Sequence, residues 1–258
     1  MTLAGRGALV TGGGRGIGAA VARAFVEAGA RVIVAARHSA EVEAVASGLR
    51  DAGGEAFAVR CDVTDATSVT ELARTASERL GAVDILVNNA GTASSAPVHR
   101  ITLDEWHRLF AVNATATFLV TQAVLPAMLE RSWGRIVNVA SIAGLAGAKL
   151  IAAYSAAKHA VVGFTRAVAA EVSGSGVTVN AVCPGYVDTP LTGETLERIA
   201  ERTKRTRAEA LQSLLVHAGQ PRLVTADEVA ATVLSLCGNA AATITGQAIV
   251  LDAGALRV

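Results

Sequence analysis

Gly7-Ala8-Leu9-Val10-Thr11-Gly12-Gly13-Gly14-Arg15-Gly16-Ile17-Gly18 runs from a short apolar strand through a glycine turn into a helix with apolar positions continuing through Phe25 to Gly29. That order, strand then glycines then helix, makes a glycine motif a dinucleotide site rather than a flexible loop. Gly12 permits the tight turn, Gly16 lets a pyrophosphate approach the backbone, and Gly18 lets the helix pack closely. The helix N-terminus, beginning around Ile17, then faces the phosphates.

A second stretch supplies proton chemistry. In Tyr154-Ser155-Ala156-Ala157-Lys158, a helix over residues 154–173 stacks Tyr154 and Lys158 at i and i+4 on one face. A phenol, with a pKa of about 10, is a poor acid or base at neutral pH. A cation about 4 Å away favours the phenolate by roughly 4 kcal/mol at an effective dielectric near 20, enough to lower that pKa by as much as about 3. Ser141 follows the apolar run Arg135–Ala140 and so sits at the C-terminal edge of a strand, where open α/β sheets bind ligands. Its hydroxyl can steady an oxygen on which charge develops.

Taken together, TGxxxGxG at Thr11–Gly18, Ser141 and YxxxK at Tyr154–Lys158 resemble the short-chain dehydrogenase/reductase family over essentially the whole chain. The tetrapeptide Asn88-Asn89-Ala90-Gly91, after the strand Asp84–Val87, matches the family's fourth-strand signature. The resemblance implies that Asn88 braces the sheet while Asn89, Ala90 and Gly91 line the cofactor. It implies that Asn113, in Val112-Asn113-Ala114, holds a water linking Lys158 to solvent. Asp62 and Val63 match the position that contacts adenine, although Asp62 also reads as a cap for the following helix. Pro184, Gly185, Val187 and Thr189 match the segment that holds the nicotinamide.

NAD-preferring members of this fold usually place an acidic residue where Ala36 stands. Here that carboxylate is missing, Arg37 follows, and Arg15 precedes the second motif glycine. Two guanidiniums suit a 2′-phosphate, which they can bind bidentately. NADP(H) rather than NAD(H) is therefore the expected cofactor.

Composition narrows the rest. A chain of 258 residues with 52% hydrophobic content can form one α/β domain with ample core. A net charge of +1 gives no electrostatic case for nucleic acid or acidic membranes. Cys61, Cys183 and Cys237 match neither a metal site nor a disulfide framework, and no run reaches 18 uninterrupted apolar residues. The expected protein is soluble and cytoplasmic, without a bound metal.

The expected fold over residues 1–258 is a doubly wound, Rossmann-type parallel sheet of seven strands with helices on both faces. Residues 102–131 read as one long helix. With helix 154–173 it forms, by resemblance, a subunit interface, which implies a homotetramer (or a homodimer). The resemblance implies that residues 190–222 form a mobile lid over the substrate, here carrying Arg198, Arg202, Lys204, Arg205 and Arg207 among glutamates. The basic residues either meet the phosphates of a thioester carrier or form a solvated mixed-charge face.

The implied activity is reversible hydride transfer between NADP(H) and a ketone or secondary alcohol, with Asn113, Ser141, Tyr154 and Lys158 as the catalytic set and with Tyr154 and Lys158 also binding the cofactor, Lys158 through the nicotinamide ribose. The cofactor half resembles 3-oxoacyl-thioester and polyketide reductases. The lid, with Gln220-Pro221 and Leu236-Cys237, resembles 3-hydroxybutyrate dehydrogenases, and a general carbonyl reductase is a further alternative. A non-catalytic NADP(H) sensor usually lacks the tyrosine or lysine that this chain keeps. One departure is Leu251-Asp252-Ala253-Gly254, where the family usually has Asp-Gly-Gly.

Overall fold

Every residue of the first strand, β1 (Gly7–Thr11), is buried, as expected for a parallel strand covered on both faces. The computed structural model describes residues 2–256; Met1, Arg257 and Val258, which the expected domain span includes, lie outside the described residues. The chain continues through α1 (Gly16–Glu27), β2 (Arg31–Ala36), α2 (Ser39–Asp51), β3 (Ala56–Arg60), α3 (Ala66–Leu80) and β4 (Ile85–Asn88). Next come α4 (Leu103–Phe110), α5 (Ala116–Glu130), β5 (Gly134–Val139), α6 (Ala152–Glu171) and β6 (Val177–Pro184). The last elements are β7 (Val187–Asp188), α7 (Pro190–Thr203), α8 (Arg207–Ala218), β8 (Val224–Thr225), α9 (Ala226–Cys237) and β9 (Ala248–Leu251).

Seven parallel strands form one sheet in the order β3-β2-β1-β4-β5-β6-β9. This is the expected doubly wound sheet. The chain reverses direction across the sheet between β1 and β4, so the crevice beyond their C-terminal ends is the ligand-binding edge. One face packs Val21, Phe25 and Val233 into a core, and the other packs Leu72, Leu80 and Met128. Both cores are rich in Val, Ala and Leu, the residues that made the strands recognisable.

Three features depart from the expected layout. The helix over residues 102–131 is interrupted by a π-helical turn at Ala111–Thr115, which joins α4 to α5. The segment expected to form a lid consists of two helices, α7 and α8, with a small core of their own made by Leu196, Ala210 and Leu214. Its two ends are held together by a second, two-stranded parallel sheet pairing Val187 with Val224 and Asp188 with Thr225. Strands of two residues carry too little periodicity to be read from sequence.

Candidate active site

Four loops meet at the C-terminal edge of β1, β4, β5 and β6. In the first, Gly12 and Gly16 adopt positive φ (63° and 55°), the left-handed region that glycine enters at little cost. A Cβ on Gly18 would stand 2.3 Å from the Gly12 carbonyl oxygen, so only glycine allows α1 this close to the turn. Arg15 occupies the N-cap of α1 without a side-chain cap bond, leaving the first amides of a 12-residue helix facing the crevice. This cradle fits a dinucleotide pyrophosphate.

Asn89 and Thr11 fix the turn from the neighbouring strand. Asn89 Nδ2 donates to the carbonyls of Thr11 and Gly12, both at 3.0 Å. Thr11 Oγ1 accepts from the amides of Asn89 (3.1 Å) and Ala90 (3.2 Å). The Asn89 side chain is thus engaged in holding the glycine loop, leaving Ala90 and Gly91 to line the crevice. Asn88 braces the sheet as expected: its Nδ2 donates to Thr121 Oγ1 (3.0 Å) and Asn138 Oδ1 (2.9 Å), and Asn138 donates in turn to Thr165 Oγ1 (2.9 Å).

Ser141, Tyr154, Lys158 and Asn113 converge beside this loop. Ser141 accepts the Ala143 amide (3.1 Å), capping the short 3₁₀ turn Ile142–Gly144. Ser155 Oγ donates to the Ala143 carbonyl at 2.6 Å, fixing α6 to the same turn. A Cβ on Gly144 would sit 2.7 Å from the Lys158 carbonyl oxygen, so the turn and the helix touch only because residue 144 has no side chain. Lys158 is 4% exposed and donates from Nζ to the Val139 carbonyl at 2.9 Å. Its Nζ lies 5.9 Å from the centroid of the Tyr154 ring.

Burial shifts both groups, and in opposite directions. Desolvation pushes the Tyr154 phenol up to about 12, with the adjacent Ser141 hydroxyl pulling it back in part. Desolvation lowers the Lys158 ammonium to about 8. The expectation that Lys158 would depress the tyrosine pKa is therefore not met in this structure. The ammonium is held by a backbone carbonyl rather than placed against the phenol, and loss of water around the phenolate outweighs it.

Asn113 is buried within the π turn, 1% exposed, and its side chain is fully engaged. Nδ2 donates to the Thr92 and Leu109 carbonyls, both at 2.9 Å, and Oδ1 accepts the Thr92 amide at 3.2 Å. A Cβ on Gly91 would lie 3.0 Å from Asn113 Oδ1 and 3.6 Å from Lys158 Nζ, so Gly91 separates the two by little more than its own width.

At the adenosine end, Ala36 and Arg37 close β2. Asp62 does not cap α3: its carboxylate accepts from Thr64 N (3.0 Å) and Thr64 Oγ1 (2.7 Å), while Asp65 caps the helix. Those Thr64 hydrogen bonds lower the Asp62 pKa, with Arg37 and Arg60 adding to the effect. The Val63 side chain is buried in the core, so only its backbone borders the crevice. Arg15 is not free, since its Nη1 pairs with Glu194 Oε1 of α7 at 2.9 Å.

Thr189 and Pro190 cover Gly16, whose Cβ would meet Thr189 Cγ2 at 3.2 Å. Val187 is buried in the core and presents only backbone to the site. Gly185 follows Pro184, and a Cβ on it would stand 2.4 Å from Gln220 Oε1. Gln220 accepts the Tyr186 amide at 2.9 Å and donates to the Tyr186 carbonyl at 2.8 Å, clasping the far end of the lid to its near end. Arg207 lines a cavity of about 460 Å³ with Asp188, Glu194 and Glu197. Those carboxylates make this part of the lid a poor place for a phosphate.

Sequence reading assigned no role to Thr11, Gly144, Ser155 or Gln220, although Thr11, Ser155 and Gln220 stand inside motifs quoted above. Each acts through a partner on another element, which local sequence does not reveal.

A family profile described as short chain dehydrogenase matches residues 6–200. A 3-oxoacyl-(acyl-carrier-protein) reductase of Synechocystis sp. is 40% identical over 251 residues, covering 96% of this chain and 95% of that protein. A D-beta-hydroxybutyrate dehydrogenase of Rhizobium meliloti is 36% identical over 253 residues, covering 96% and 97%. Among solved structures, a variant of actinorhodin polyketide ketoreductase crystallised with NADPH superposes with a TM-score of 0.92 at 40% identity, covering 96% of each chain. Sequence, fold and site geometry agree, and the chain belongs to the short-chain dehydrogenase/reductase family.

Proposed function

We propose that this protein is an NADP(H)-dependent ketoreductase that interconverts a ketone and a secondary alcohol, with a 3-oxoacyl thioester or polyketide-like ketone as substrate. The observation that carries the reading is the convergence of Ser141, Tyr154 and Lys158 beside a glycine cradle built for a dinucleotide. The relatives named above support the substrate class, and the NADPH-bound neighbour supports the cofactor.

The nicotinamide, when bound, supplies the hydride in reduction and accepts it in oxidation. Gly12, Gly16, Ile17 and Gly18 would hold the pyrophosphate, Arg37 the 2′-phosphate, with Arg15 joining it only on release from Glu194, and Asp62 with the Val63 backbone the adenine. Ala90, Gly91, Pro184, Gly185, Val187 and Thr189 would border the nicotinamide. With a pKa pushed up to about 12, Tyr154 is protonated at neutral pH and can donate its proton to the carbonyl oxygen. Ser141 donates a hydrogen bond to that oxygen as charge develops. Lys158, still largely cationic at neutral pH, would bind the nicotinamide ribose, and its charge, 5.9 Å from the Tyr154 ring, offsets part of the desolvation cost of the phenolate left behind. Asn113 shapes the π turn beside Lys158 and supports its reprotonation through water.

The whole chain acts as one dinucleotide-binding domain whose lid, residues 190–222, closes over the substrate. The pinned feet of the lid and its separate small core support that reading. Exposed Arg198, Arg202 and Lys204 are available to the phosphates of a carrier thioester, while Arg207 faces carboxylates. A free 3-oxo acid is the second reading, favoured by the hydroxybutyrate dehydrogenase relative.

A cytoplasmic homotetramer or homodimer is carried over from the family resemblance, and the outer helices suit such an assembly. The span Leu103–Glu130 is long and apolar enough, at a mean hydropathy of 1.5, to cross a membrane by length and composition. However, Asn113, Thr117 and Thr121 point into the core, and the half-exposed Trp106, Phe118 and Leu129 are better covered by a second copy of the chain.

Replacing Tyr154 tests the chemistry directly. Tyr154→Phe should cut turnover by roughly 10²–10⁴-fold while leaving the NADPH dissociation constant within about twofold, as read by cofactor fluorescence. A variant retaining a large share of wild-type turnover would remove Tyr154 as the acid.

A further inference from the structure

The missing carboxylate at Ala36 has a neighbour on the adjacent strand. Ala36 lies opposite Arg60 in the parallel β2–β3 register, and the Cys61 amide donates to the Ala36 carbonyl at 3.0 Å. Residues two apart on a strand share a face. Ala56 and Ala58 pack into the core on the α1–α2 side, so Arg60 presents its side chain to that side as well. There it lines a surface cavity of about 390 Å³ together with Ser39, Ala40 and Glu43 of α2.

Of the charged groups in this cavity, Glu43 is already paired with Arg50 at 2.6 Å. The exposed Arg60 makes no hydrogen bond or ion pair among the described residues. Arg37 follows Ala36 at the end of β2, two residues before the Ser39 that lines this cavity. Arg37 and Arg60 both help lower the Asp62 pKa, so each lies within electrostatic reach of that carboxylate just past β3.

We propose that Arg60 is a specificity-determining residue which, with Arg37, reads the 2′-phosphate of NADP(H); this rests on the cofactor reading above. A phosphate monoester carries close to two negative charges and several acceptor oxygens at neutral pH, more than one guanidinium can satisfy. Ala36 leaves space for it and brings no opposing charge. Arg15, engaged by Glu194 across the crevice, is less available for the task. The second cation therefore comes from β3.

The test uses the full chain and two nucleotides that differ only in the 2′-phosphate, 2′,5′-ADP and 5′-AMP, titrated calorimetrically. Wild type should bind 2′,5′-ADP more tightly. Arg60→Gln should weaken 2′,5′-ADP by about five- to tenfold, the value of a partly exposed charge-assisted contact, and leave 5′-AMP within about twofold. Arg60→Lys should recover part of the loss. If wild type prefers 2′,5′-ADP and Arg60→Gln keeps that preference in full, the Arg60 assignment is overturned and the cofactor reading stands. If wild type binds the two nucleotides equally, the NADP(H) reading falls, and the role of Arg60 falls with it.

Discussion

Lys158 joins local sequence to tertiary burial most clearly. The YxxxK spacing fixes its place one helical turn from Tyr154, and burial lowers its pKa to about 8. Below that value the side chain is cationic and favours phenolate formation; above it the group becomes neutral and that assistance is lost. For ketone reduction, kcat/KM should therefore be level below about pH 8 and decline as pH rises through it. A profile flat to pH 10 would show that the charge on Lys158 is not needed. Asn113, Ser141, Tyr154 and Lys158 could be named as candidates because each sits in or beside a short local pattern, and the structure brings them together beside the glycine loop. The direction of the Tyr154 shift was not legible, because desolvation depends on what the rest of the chain packs around the phenol. Nor was the Arg15–Glu194 pair, whose partners are 179 residues apart.

Among the elements, strands and helices were legible where apolar periodicity was long, and their ends shifted by a few residues. The helix carrying Tyr154 begins at Ala152 rather than 154. The π turn at Asn113 was hidden because it adds one residue to a helical turn without breaking the apolar pattern. The Asp252-Ala253-Gly254 turn shows the opposite case, a departure visible in sequence whose cost becomes clear in the backbone. Ala253 holds φ at 55°, where a Cβ is disfavoured, while the Asp252 carboxylate accepts the Gly254 amide at 2.9 Å and fixes the turn. Ala253→Gly should relieve about 1–2 kcal/mol of left-handed strain and add about 0.5–1 kcal/mol of unfolded-state entropy, for a net gain of a few tenths to about 1 kcal/mol. Urea denaturation measures this directly, and a lower midpoint at unchanged slope would contradict it.

At the scale of the molecule, the doubly wound sheet follows from seven apolar strands alternating with helices, and its switch point dictates where the loops must meet. Sequence alone could place the glycine loop, Ser141 and the YxxxK helix at that edge because topology carries them there. The lid was less legible: its two helices pack on each other, and long-range contacts, Gln220 to Tyr186 and Val224 to Val187, anchor it. Hydride transfer between NADP(H) and a ketone by this assembly is measured most directly as the rate of cofactor oxidation by the purified chain, with NADPH and NADH compared, on acetoacetyl-CoA and on a bare cyclic or aryl ketone. Turnover should occur with NADPH, faster than with NADH, and with a preference for the thioester. Cofactor binding without oxidation by any ketone, with either nucleotide, would contradict it.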